Sequence, residues 1–194
     1  MRVGNPNEIQ YFITLISKSD KTMEENVDNI FGQITRILDS IYGIAVSQKW
    51  TSRKNWTKII KEKISILGQG NGYHSCCSTI STANFGEWLF DLCWLKYDPE
   101  DFLIDSKLIL ECEWNVGERH IYGDFQKILV GKADLKVMIF QAASETRRQE
   151  LITIMQTFIQ KYGRVEKDEK YLFSCWVFET KLFQHEVLKK GINF

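Results

Sequence analysis

The chain alternates between two hydrophobic periods, and the places where the period changes mark its elements. Over residues 8 to 42, Ile30, Ile34, Ile37, Leu38 and Ile41 recur at the spacing of one helical face, which predicts one or two helices. Residues 51 to 67 repeat the pattern with Trp56, Ile59, Ile60 and Ile64, and GQGNG at 68 to 72 ends that helix. After this turn the pattern changes to strands at 73–82 and 86–96, the second rich in aromatic residues. The acidic stretch YDPEDFLIDS at 97–106 reads as a loop around Pro99. A strand at 107–114, a helix near 118–133, an apolar strand at 135–141 and a long helix over 145–162 follow, the last with Leu151, Met155, Phe158, Ile159 and Tyr162 on one side. YLFSCWVFET at 171–180 reads as a further strand, and 181–194 carries no clear period.

This order predicts an α/β fold with a mixed central sheet flanked by helices. Residues 1–48 form a helical N-terminal region, separate or part of the same domain, and 49–194 carry the main domain. No run of about 18 apolar residues is present, so no membrane span is expected. The opening MRVGNPNEIQ lacks a charged-then-apolar leader pattern, so a cytoplasmic protein is expected. Five cysteines, an odd number, suit buried free thiols better than a disulfide framework, and no C-x-x-C pair offers a zinc site.

Twenty-five basic and twenty-five acidic residues cancel, so attraction to a polyanion has to be local. KWTSRKNWTKIIKEK at 49–63 offers it, with six basic residues against one acid. Lys54, Lys58 and Lys61 share one helical face and are the candidate nucleic-acid contacts, although a solvated amphipathic helix has the same pattern.

The chemistry concentrates in LILECEW. Glu111 and Glu113 are two apart on a strand and point the same way. If 86–96 and 107–114 pair as a hairpin, Asp91 joins them, and three carboxylates need a cation between them. A hard divalent ion with oxygen ligands would serve. So would a basic side chain: Lys127 in the following helix, Lys136 or Arg119. Glu87, Glu62 and Gln126 are auxiliary candidates, and His120 is a surface histidine unless the site recruits it.

An aspartate on one strand, Glu111-Cys112-Glu113 on the next, and Lys127 on the following helix together resemble the PD-(D/E)XK, or restriction-endonuclease-like, nucleases. The resemblance covers about 51–141. It departs from the family at Glu113, which stands where the lysine of the motif usually falls. Lys127 looks like that lysine moved to the helix, and Gln126 resembles a polar helix residue other members use. The resemblance implies a Mg2+-dependent endonuclease, with Mn2+ as a substitute, whose metal ligands are Asp91, Glu111 and Glu113 and whose catalytic set adds Lys127. It also implies a nucleic-acid partner, DNA before RNA, in a restriction, defence or processing system. Cleavage of both strands would suit a homodimer.

Two other classes fit the same residues. The departure at Glu113 allows an inactive module that keeps the nuclease fold and binds nucleic acid or protein. The aromatic strands, with Trp88, Trp94 and Trp176, allow a protein-interaction surface.

Overall fold

The computed structural model describes residues 6–49, 52–78, 83–164 and 169–189, with residues 6–26 described by backbone alone. Residues 79–82 of the expected first strand and 190–194 of the tail lie outside the described residues, as do Trp50 and Thr51 of the basic segment. The chain divides into two compact units, 1–34 and 35–194. Helix α1, Pro6–Ser47, belongs to the first unit up to Ile34 and to the second beyond it.

In the second unit, a six-stranded sheet is ordered as the strands follow in the chain. β1 (His74–Cys77), β2 (Leu92–Tyr97) and β3 (Leu103–Glu113) form an antiparallel meander. Helix α3 (Glu118–Val130) then crosses over to β4 (Leu135–Ala142), which runs parallel to β3. Helix α4 (Glu145–Lys161) crosses again to β5 (Lys170–Val177), parallel to β4, and β6 (Leu182–Lys189) returns antiparallel. The expected α/β architecture with a mixed sheet is therefore present.

Local chemistry sets the element ends. Ser52 caps α2 (Arg53–Gly70) by accepting the Lys54 N–H, and Ser144 caps α4 by accepting the Arg147 N–H, both at 3.2 Å. β4 and β5 are buried at every position, as strands covered on both faces must be.

Alternate residues of the sheet feed two cores. Ile109, Met138, Phe140, Phe173 and Cys175 pack beneath α3 and α4 with Ile121, Phe125, Leu151 and Met155. On the opposite face lies α2, where Trp56 meets Trp176 at 5.0 Å between ring centroids and Gly68 lies against the Trp94 indole. The five cysteines are all buried and free.

Three expectations need correction, and the tail, left unassigned by its period, gains a strand. The aromatic strand expected over 86–96 begins only at Leu92, because residues 86–91 leave the sheet as a loop. The acidic loop expected over 97–106 ends early, since β3 starts at Leu103 and pairs with Tyr97 across two register shifts. The tail forms β6 as far as Lys189. Of the three tryptophans assigned to an interaction surface, Trp94 and Trp176 are core residues, and Trp88 alone is exposed.

Candidate active site

Leu92 pairs with Leu110 in the β2–β3 register, which brings the next residues outward, Asp91 and Glu111, toward each other. Asp91 lies just before β2 and is fixed from two sides. Its Oδ2 accepts the Cys112 N–H at 2.9 Å, and its Oδ1 stands 2.8 Å from Lys61 Nζ.

Glu111 is only 2% exposed. Burial, with the nearby negative charge of Asp91, pushes its carboxyl up to about 8 despite the opposing pull of Lys127. Lys127 Nζ lies 2.7 Å from Glu111 Oε1 and 2.9 Å from Asp124 Oδ1. The approach to Glu111 is an ion pair by distance but lies outside hydrogen-bond directions, so this buried oxygen has no hydrogen-bond partner. Burial disfavours the Lys127 ammonium, but its close charge interactions with the Glu111 and Asp124 carboxylates outweigh that and raise its pKa. The last turn of α3, where Lys127 sits, also favours a cation.

Lys61 was expected to face a nucleic acid, yet it points inward. It is 3% exposed and joins Asp91 to Glu87, whose Oε2 is 3.2 Å away. Desolvation lowers its pKa, but the two carboxylates more than compensate and hold it raised. Ser78 Oγ also donates to Glu87, and these partners overcome burial to lower the Glu87 pKa. Lys54 and Lys58 remain exposed on the same helix.

Glu113 shares the face of Glu111, but its Oε1 accepts the Asn115 N–H at 2.6 Å and so closes the end of β3. Glu62 is half-buried and Gln126 exposed; neither bonds to the carboxylates among the described residues. Arg119 is exposed, and Lys136 is taken by Glu169 at 2.9 Å. His120 is also exposed. One participant, Asp124, and the inward role of Lys61 escaped the sequence reading. Asp124 could have been found from its i,i+3 spacing to Lys127, and Lys61 from its place beside Ser65 and Gly68 on the buried side of α2.

Among the described residues, no group of three or more His, Cys, Asp or Glu is placed to hold a metal ion. The expected three-carboxylate cluster is thus reduced to a pair. A pair nevertheless suits Mg2+, which is commonly bound through one or two carboxylates with water and substrate phosphate completing its shell. The buried Glu111 Oε1, paired with the Lys127 ammonium but making no hydrogen bond, is the atom that such an ion would satisfy. No family model, curated protein or solved structure matches the chain.

Proposed function

We propose that the protein is a Mg2+-dependent nuclease of restriction-endonuclease-like fold that hydrolyses phosphodiester bonds in DNA. The observation that carries this reading is the convergence of Asp91 and Glu111 at adjoining strand ends, with Lys127 on Glu111. The order of a helix, an antiparallel three-strand meander, a crossover helix and a parallel strand supports the fold assignment.

Asp91 and Glu111 would hold the metal, which supplies charge neutralisation for the phosphodiester and its leaving oxygen. Lys61 and the Cys112 N–H keep the Asp91 carboxylate from turning away. Lys127, about half exposed, can reach a phosphate oxygen or orient the attacking water while remaining charged. Glu113 braces the strand end that carries Glu111. Lys54 and Lys58 supply phosphate contacts remote from the reacting atoms.

A second reading, an inactive nuclease-fold module that binds nucleic acid or a protein, has its own support. Asp91 and Glu111 each already have a lysine partner, as a purely structural ion network would. Incubation of supercoiled plasmid with Mg2+ and the wild-type, Asp91→Ala or Glu111→Ala protein separates the two. Cleavage by the wild type alone supports the nuclease; equal behaviour of all three, with or without cleavage, refutes the site.

A further inference from the structure

The loop from Glu87 to Asp91 is anchored at both ends by one ammonium group. Lys61 Nζ holds Glu87 at 3.2 Å and Asp91 at 2.8 Å. Between these anchors Phe90 turns inward. It and Ile109 pack over Gly131 so closely that a Cβ there would lie 2.7 and 2.6 Å from them. The two remaining residues are forced outward: Trp88 is 58% exposed and Leu89 63% exposed. A tryptophan is mostly buried on average, and this one is held out by a loop whose fixed ends include a proposed metal ligand.

We propose that Trp88, supported by Leu89, is a stacking platform for an unpaired base, so that the site takes a single strand or a locally opened duplex. This inference rests on the nuclease reading and gives it a substrate class. Charge complementarity selects the occupant. Lys58 and Lys54 continue from Lys61 at one helical face and stay exposed. Exposed apolar surface on a loop that Lys61 anchors, with further cations on the helix that carries Lys61, matches a strand that offers π faces and phosphates in alternation. A platform anchored on Asp91 fixes the base relative to the carboxylates, which places the neighbouring phosphate in register with them.

The test uses the full chain, a fluorescein-labelled single-stranded oligonucleotide and its blunt duplex. Anisotropy is read with Ca2+ replacing Mg2+ to separate binding from cleavage. The proposal predicts tighter binding of the single strand, a loss of about tenfold in Trp88→Ala, and retention of most affinity in Trp88→Phe, since any aromatic face can stack. The duplex affinity of Trp88→Ala stays within about twofold of wild type, because phosphate contacts carry it. Quenching of tryptophan emission on single-strand binding should shrink in Trp88→Phe although that variant still binds.

Unchanged single-strand binding by Trp88→Ala, in a wild type that cuts with Mg2+, overturns the platform and leaves the nuclease standing. A wild type that binds neither form overturns both. Trp88-dependent self-association with unchanged oligonucleotide binding makes the loop a protein contact and also overturns the platform.

Discussion

Lys127 reaches Glu111 across the gap between α3 and β3, bringing Nζ to 2.7 Å from an oxygen that has no hydrogen-bond partner. A buried carboxylate beside another carboxylate is unfavourable when charged, and one partly exposed lysine offsets this incompletely, as the rise of Glu111 to about 8 records. Such a group is suited to exchange its proton for a metal ion.

The first consequence is a pH dependence. The unfolded chain has Glu111 near its ordinary carboxylate value and the folded chain near 8, so between these values the folded state holds more protons. Glu111 therefore contributes stability that is full below the unfolded value and is lost as pH rises through about 8. Without metal, the Tm should fall as pH rises across this window. Glu111→Gln should flatten that dependence in thermal melts, while saturating Mg2+ should restore stability to the wild type at high pH.

Substitution at the two ends of the ion pair should give opposite stability effects. Lys127→Ala leaves Glu111 buried without its cation, which costs about 1–3 kcal/mol and drives Glu111 further toward the protonated form. Glu111→Gln keeps the shape and removes the charge, so metal-free stability should be unchanged or higher. Cleavage should drop by at least about a hundredfold in both variants. Urea unfolding with plasmid cleavage on the same preparations checks the pair.

Lys61 organises Asp91, Glu87 and the loop between them. Lys61→Met should cost about 2 kcal/mol, less than the ~3–5 kcal/mol of breaking a fully buried pair, because both carboxylates keep some access to water. Metal affinity should fall with it, since Asp91 loses its brace. Lys61→Arg should recover part of the stability. Denaturation and metal titration of the two variants measure these effects.

Lys54 and Lys58 are exposed and outside the ion network, so the double change to Ala should leave the Tm nearly unaltered. DNA affinity should fall, and the slope of log affinity against log salt should decrease by about 1 for each phosphate contact removed. A salt titration of binding determines the slope.

Helix α2 has little tolerance where it crosses β2. A Cβ at Gly68 would lie 2.4 Å from Trp94 Nε1, and that indole is fully buried. Gly68→Ala should therefore destabilise by about 1–3 kcal/mol through overpacking. Chemical denaturation gives the value.

Sequence periodicity located α2, α3, β4 and α4 closely because each buries one regular face or is apolar throughout. It failed over 86–91, where GEWLFD has strand composition but is drawn out of the sheet by Lys61 and the inward turn of Phe90. It failed again at 103–106, where an edge of β3 too exposed to look buried still pairs with β2. The proximity of Asp91, Glu111 and Lys127 was readable from hairpin order and the crossover helix. Lys61 was not, since a lysine in a row of lysines looks solvated unless the small residues Ser65 and Gly68 on its own side are recognised as packing positions. The outcome at Glu113 depended on a backbone N–H needing an acceptor where β3 ends, which side-chain pattern does not encode.

Cleavage would rest on Glu111 exchanging its proton for a divalent cation held there. Isothermal titration of Mn2+ into the wild type and into Glu111→Ala, with plasmid nicking followed in the same buffer, tests it most directly. The account predicts binding with proton release below pH of about 8, and loss of both binding and nicking in the variant. Absence of metal binding in the wild type, or equal binding and nicking in the variant, would contradict it.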